Sequence, residues 1–218
     1  MNIVQNFISS SKYNIKCPYS MMPEFIVVHN TANDASARNE VAYMISNNNQ
    51  VSFHYAIDDK EIVQGIPENR NTWHAGDGAY GQGNRKGLSI EICYSKSGGQ
   101  RFIEAEKLAA KFIAYKLKEK GWGIDRVKKH QDFSGKYCPH RTLDMGWQRF
   151  LDMVKSELDK LKGGATVAEK NVPSSWAKEA WEWAKKEGIT DGTRPKDTMT
   201  REEMITILHR YHKKVVQK

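Results

Sequence analysis

The sequence predicts an α/β fold in which a mixed central β-sheet is flanked by helices, followed by a small C-terminal helical domain. Two observations support this prediction. Short apolar runs of strand type intermingle with helical periodicity without strict alternation, which is typical of a mixed sheet covered by helices. A stretch containing paired glycines, small residues and a proline (LKGGATVAEKNVPSS, 161–175) then separates the main part of the chain from a short remainder.

Four segments have the composition of β-strands. FIVVH (25–29) and LSIEIC (88–93) are apolar runs of the buried type, and the second is interrupted by one glutamate. VSFHYAID (51–58) and EIVQGIPE (61–68) flank a two-residue Asp-Lys connection. This arrangement predicts a β-hairpin.

Three segments have helical periodicity, with apolar residues recurring three or four positions apart. They span about 35–48, 102–120 and 145–161. At the start of the first, Asn33 or Asp34 is available as the N-cap. We expect these helices to cover the sheet.

The boundary predicts three regions: a main domain at 1–160, a linker at 161–171 and a C-terminal domain at 172–218. The C-terminal domain has two helical stretches, WAKEAWEWAKK and TREEMITILHRYHKK. In the second, Thr200 and Glu203 have the spacing of a capping box. So short a segment builds only a small core.

Composition limits the classes of function. The 218 residues carry a net charge of +8 and are 39% hydrophobic, which indicates a globular chain attracted to polyanions. No nucleic-acid-binding motif accompanies the charge, so nucleic acid is not an expected partner. No apolar run is long enough to predict a membrane span. The N-terminal segment lacks the features of a secretory signal, so we expect synthesis in the cytoplasm without a signal peptide.

The stretch HQDFSGKYCPH (130–140) concentrates residues that bind metals. Pro139 disfavours a helix through Cys138, and a loop would let His130 and Cys138 face one point. A catalytic zinc site needs a third protein ligand, and His29 lies at the end of a predicted strand. The spacing alone leaves open that these histidines are ordinary surface or core residues.

Glu91 interrupts a strand that is otherwise apolar. A charged group is costly in a core unless it faces a site, so Glu91 is a candidate for proton transfer. The alternative interpretation is that Glu91 lies on an edge strand and its carboxylate faces solvent.

Five motifs in order carry a resemblance to a known family: FIVVHNTAND, SFHYAID, TWHAG, GLSIEIC and HQDFSGKYCPH. The set resembles the zinc-dependent N-acetylmuramoyl-L-alanine amidases related to peptidoglycan-recognition proteins, and most of all phage endolysins. The match covers about residues 20–155. It implies a hydrolase that cleaves the amide between N-acetylmuramic acid and L-alanine in peptidoglycan. An endolysin would also need a holin-type pore to reach the cell wall from the cytoplasm.

The resemblance also implies site residues. One Zn²⁺ per catalytic domain would be held by His29, His130 and Cys138. Glu91 would be the general base, and Lys136 would stabilise the developing oxyanion. Some relatives have a tyrosine where this chain has a phenylalanine without a hydroxyl group, at position 53.

Three further residues are candidates for substrate contact. Trp73 and His74 lie in a glycine-rich loop, where exposed aromatic residues often line clefts. His54 lies in a predicted strand, and a structural role is its alternative interpretation. We expect His140 to be structural and Asp132 to act as an acceptor in the loop or behind a metal ligand.

The C-terminal segment is similar to a single surface-layer-homology module, a class that binds anionic cell-wall polymers. Trp176, Arg194, Lys196 and Arg201 are its candidate wall-binding residues. A purely structural role for Trp176 in the core of this small domain is the alternative. Tethering such a module to a hydrolase would raise the local substrate concentration.

Two other functions stay open from the sequence. One is a protein that binds peptidoglycan without cutting it. The other is a thiol hydrolase of the Cys-His type, with Cys138 as the nucleophile.

Overall fold

The computed structural model describes residues 1–163, 172–193, 195 and 199–216, without the side chains of 214 and 215. The chain divides into two compact units, Met1–Lys162 and Gly163–Lys218. In the described ranges, no helix has the length and apolar character needed to cross a lipid bilayer.

The first unit contains one six-stranded sheet, as the predicted mixed α/β class requires. The strands lie in the order β1-β4-β3-β5-β2-β6. Only β3 and β4 pair antiparallel, and the other neighbours pair parallel. The strand bounds are β1 Val4–Gln5, β2 Phe25–Asn30, β3 Tyr55–Ile57, β4 Ile62–Gln64, β5 Gly87–Ile92 and β6 Val127–Lys129.

Seven α-helices accompany this sheet in the described part of the first unit. Their bounds are α1 Tyr13–Lys16, α2 Ala37–Ser46, α3 Gln82–Lys86, α4 Gly99–Lys120, α5 Gln131–Ser134, α6 His140–Asp144 and α7 Trp147–Leu161. The three helices predicted from periodicity correspond to α2, α4 and α7. The expected N-cap of α2 is wrong: Ser36 caps it, because the Ser36 hydroxyl accepts a hydrogen bond from the backbone N–H of Asn39.

The central strands are apolar because both of their faces are covered. Val28 pairs in register with Ile90, and Ile90 pairs with Tyr55, so these side chains share one face of the sheet. The Tyr55 ring contacts the fully buried Phe112 of α4, with ring centroids 4.7 Å apart. The predicted hairpin is confirmed as β3 and β4, in a shorter form.

The second unit contains α8 (Lys178–Lys186) and α9 (Arg201–Tyr211) within its described residues, close to the predicted helices. The capping box of Thr200 and Glu203 is confirmed. The predicted linker 161–171 falls mainly on residues outside the described ranges.

An ion pair between a buried glutamate and a half-exposed arginine joins α4 to α7. Glu106 is only 1% exposed, and one of its carboxylate oxygens accepts a hydrogen bond of 2.7 Å from Arg149. Its other oxygen has no hydrogen-bond partner among the described residues. The Arg149 side chain is 36% exposed, so this pair lies at the edge of the core.

Replacing Arg149 with Met should lower the free energy of unfolding by about 3 kcal/mol, because the Glu106 carboxylate would stay buried without its partner. Denaturant titration measures the change. Adding Glu106→Gln to Arg149→Met should restore more than half of the loss. Lys155→Met, at an exposed site of the same helix, is the control and should change stability by no more than about 0.5 kcal/mol. Equal effects of Arg149→Met and Lys155→Met would contradict the assignment.

Candidate active site

The three predicted metal ligands meet at one edge of the sheet. His29 lies near the end of β2, His130 directly follows the neighbouring parallel strand β6, and Cys138 lies between α5 and α6. Their ligand atoms all lie within 4.8 Å of one another, and all three residues are buried. The Nδ1 atoms of His29 and His130 are 3.0 Å apart, and the Cys138 sulfur is 3.8 Å from Nδ1 of His29.

The protonation states of these three side chains favour binding of a cation. Burial is the main cause that holds the pKa of His29 well below its usual value, and the positive charge of Lys136 acts in the same direction, so its imidazole is neutral. Burial raises the pKa of the Cys138 thiol to about 11, although the backbone N–H of Asn30 opposes this shift. Two neutral imidazoles and one sulfur that a metal would deprotonate form a donor set that fits Zn²⁺.

Glu91 lies beside this cluster. It pairs in register with His29 across β2 and β5, so both side chains lie on the same face of the sheet. Its Oε2 atom is buried and accepts no hydrogen bond from any described residue. Burial and the negative charge of Glu40 raise the pKa of Glu91 to about 8, while the Lys136 charge lowers it. A half-buried carboxylate with one buried, unpaired oxygen next to three metal-binding side chains is typical of a catalytic acid or base.

Lys136 is exposed in the loop before Cys138. Its positive charge lowers the pKa values of His29, His130, Cys138 and Glu91. The ammonium group therefore lies close enough to act on the whole cluster.

A groove of about 540 Å³ is lined by Glu91 and by several residues of α2. Its walls include Glu40 and Tyr43 of α2, Val51 of the following loop, and Thr31 after β2. The hydroxyl group of Thr31 is buried and has no hydrogen-bond partner among the described residues. Phe53 of the SFHYAID motif, the position at which some relatives have a tyrosine, also lines the groove. Sequence analysis missed the groove, because its residues come from separate segments and carry no common motif.

The three predicted substrate contacts stay predictions, and none of these residues is among those that line the groove. His54 is fully buried, and its ring nitrogens lie 2.9 Å from the Ser89 hydroxyl and the Arg70 carbonyl. The buried His74 has its Nδ1 atom 2.9 Å from Nε2 of His29, so it contacts a predicted metal ligand instead. Trp73 is half-buried, and its indole N–H donates to the carbonyl of Ile15 in the N-terminal segment.

The remaining loop residues behave as expected. His140 lies 3.3 Å from the carbonyl of Ser95, in a structural position. Asp132 accepts a hydrogen bond from the backbone N–H of Lys129 and pairs with its ammonium group.

Of the candidate wall-binding residues, Arg194 and Lys196 lie outside the described residues. Arg201 is exposed at the start of α9. Trp176 is 87% exposed, so the alternative interpretation of this tryptophan as a core residue is wrong. Trp183 instead packs against Tyr211 within the second unit, with ring centroids 6.2 Å apart.

The sequence is similar to characterised amidases. The profile of the N-acetylmuramoyl-L-alanine amidase family matches residues 19–141. The chain is 52% identical over 212 residues to the N-acetylmuramoyl-L-alanine amidase CwlA of Bacillus subtilis, covering 94% of this chain and 76% of that protein. It is 56% identical over 178 residues to the amidase XlyB of the same organism, covering 81% of this chain and 55% of XlyB.

The fold is also similar to solved structures. PlyL superposes with a TM-score of 0.70 at 53% identity, and the match covers 72% of this chain and 99% of that one. The catalytic domain of XlyA superposes with a TM-score of 0.64 at 38% identity, covering 71% of this chain and 99% of that domain. With the matched profile and the two Bacillus relatives, these similarities show that the chain belongs to the family of N-acetylmuramoyl-L-alanine amidases.

Proposed function

We propose that this amidase is zinc-dependent and cleaves the bond between N-acetylmuramic acid and L-alanine as an endolysin of phage or prophage origin. The observation that carries the proposal is the convergence of His29, His130 and Cys138 beside Glu91, whose Oε2 atom is unpaired among the described residues. Synthesis in the cytoplasm, followed by release through a holin-type pore, belongs to the same proposal.

His29, His130 and Cys138 would hold the metal, and their burial would shield it from bulk water. Zinc held there supplies a Lewis acid, which lowers the pKa of water to about 7 and polarises a carbonyl group. Its positive charge would also lower the pKa of Glu91, since an opposite charge favours the ionised form.

Glu91 would move the proton. Its ionised carboxylate would accept a proton from the attacking water and, once protonated, donate it to the leaving amine of L-alanine. Its Oε2 atom has no hydrogen bond to give up before it accepts this proton. The exposed ammonium of Lys136 would stabilise the negative charge that develops on the carbonyl oxygen. Because the corresponding aromatic residue is Phe53, no hydroxyl group assists from that position.

The groove along α2 would bind the substrate beside the scissile bond. Glu91 is one of its lining residues, so a muropeptide in it would present its amide bond next to the predicted base. A volume of about 540 Å³ is typical of ligand-binding clefts.

We infer that the C-terminal unit binds anionic cell-wall polymer. The exposed indole of Trp176 and the exposed Arg201 support this role. Binding would keep the catalytic unit near its substrate without adding a catalytic contact.

Digestion of defined peptidoglycan followed by mass analysis tests the proposed reaction. New L-alanine amino termini are expected, and their formation should stop on treatment with chelator and return with added zinc. Zinc binding without any released peptide would favour a binding protein. Activity that survives complete removal of metal but is lost to iodoacetamide would favour a thiol hydrolase, a mechanism that the protonated state of the Cys138 thiol opposes.

Replacing Glu91 with Gln should lower kcat by about 10²- to 10⁴-fold, the range for loss of a general acid-base group. Zinc content should stay at one per chain, since Glu91 is not a predicted ligand. Steady-state kinetics and elemental analysis measure the two quantities. Glu104→Gln, at an exposed position of α4, is the control and should keep wild-type kcat. Wild-type turnover in Glu91→Gln would remove this residue from the mechanism.

Replacing Glu40 with Gln should move the acidic limb of the kcat/KM profile to lower pH. The Glu40 charge raises the pKa of Glu91, so removing it lets Glu91 ionise at a lower pH. The active ionised form would then persist further into the acidic range. Glu61→Gln, also next to α2 and paired with Arg38, is the control and should leave the limb in place. A shift to higher pH, or no shift, would contradict the electrostatic link between Glu40 and Glu91.

A further inference from the structure

A chain of hydrogen bonds runs from the backbone through a second histidine to His29. The Nε2 atom of His74 lies 3.0 Å from the carbonyl oxygen of Gly83. Its Nδ1 atom lies 2.9 Å from Nε2 of His29. The opposite nitrogen of His29, Nδ1, faces Nδ1 of His130 and the sulfur of Cys138. The inference drawn from this chain rests on the zinc site of the proposed function.

The carbonyl at one end determines where each proton lies. A carbonyl oxygen only accepts hydrogen bonds, so Nε2 of His74 carries the proton that Gly83 accepts. In a neutral imidazole the other nitrogen is an acceptor, so Nδ1 of His74 accepts from Nε2–H of His29. His29 then has its lone pair on Nδ1, the nitrogen that points to the other two ligand atoms.

We propose that His74 is a positioning residue that fixes the metal-binding tautomer and the ring orientation of His29. In this role His74 contacts neither substrate nor metal. The arrangement follows a general rule, because a histidine that ligates a metal usually donates its other ring N–H to a fixed acceptor. Here the acceptor is a second imidazole, whose own tautomer is set by the backbone.

The segment around His74 is held firmly enough for this role. The side-chain oxygen of Asn84 accepts hydrogen bonds from the backbone N–H groups of both His74 and Ala75, each of 2.8 Å. Gly83 packs so closely that a Cβ atom would lie 2.4 Å from the Ala75 side chain and 2.9 Å from the ring of Phe133. The Gly83 carbonyl therefore reaches His74 because its own residue has no side chain.

His130 lies beside the same segment, where its Nε2 atom would be 3.7 Å from a Cβ atom at Gly76. Both imidazoles of the predicted zinc site thus lie against the loop that begins at the TWHAG motif. His54 provides the contrast, since it is equally buried but bonds to Ser89 and Arg70 and has no described contact with a ligand.

Zinc affinity of the full chain, measured by competition with a chromogenic chelator, tests the proposal. His74→Leu should raise the zinc Kd by about 10- to 100-fold, the usual effect of losing such a partner. His74→Asn should recover most of this affinity, because its side-chain oxygen accepts the same N–H of His29. His54→Leu is the matched control; it removes an equally buried imidazole and should leave the zinc Kd unchanged.

Several results would overturn the proposal. Wild-type affinity in His74→Leu, affinity in His74→Asn as weak as in His74→Leu, or equal weakening in His54→Leu would each do so. A wild-type chain that binds no zinc would instead refute the zinc site of the proposed function, so the two failures are distinguishable. Should His74→Leu not fold, ¹⁵N NMR of the zinc-bound wild-type chain decides: a proton on Nε2 of His29 supports the role, and a proton on Nδ1 excludes it.

Discussion

Parallel pairing of β2 with both β5 and β6 is the constraint on which the site depends. Parallel strands end at the same edge of a sheet, and registered residues share a face. His29, Glu91 and the start of the loop at His130 are therefore neighbours, although about 100 positions separate the two histidines. The strands themselves are held by apolar packing, so the core that stabilises β2 also fixes the distance between a predicted ligand and the predicted base. A shift of β5 by one residue would turn Glu91 to the opposite face.

Burial determines the protonation states in the site, and it shifts the pKa values of imidazoles and of acidic groups in opposite directions. It lowers the pKa of the His29 imidazole, which keeps a lone pair available, and raises the pKa values of Cys138 and Glu91. Without a cation, all three groups favour their neutral forms. A divalent cation would favour both the thiolate of Cys138 and the carboxylate of Glu91. Metal binding and ionisation of the predicted base would therefore each promote the other. The exposed Lys136 adds positive charge from the solvent side of the same cluster.

Local patterns predicted the elements whose stability comes from regular amphipathic or apolar runs. The strands β2 and β5 and the helices α4 and α7 are of this kind. The short elements β6, α5 and α6, which flank His130 and Cys138, have only three to five residues each and are stabilised by the fold around them. Sequence analysis placed these two ligands through the motif HQDFSGKYCPH, without a prediction of the elements that hold them.

The local sequence around His54 and His74 did not predict that both imidazoles are buried. A histidine in an alternating strand and a histidine in a glycine-rich loop both have the local features of exposed positions. The loop, however, folds back over the sheet edge, and Asn84 and Asp77 satisfy its backbone N–H groups from within. A loop that supplies its own hydrogen-bond partners can be buried at little cost, so glycine content alone does not indicate exposure. The imidazole of His74 has a hydrogen-bond contact at each ring nitrogen, with the Gly83 carbonyl and with His29. Burial of this loop therefore places the imidazole of His74 against a predicted metal ligand.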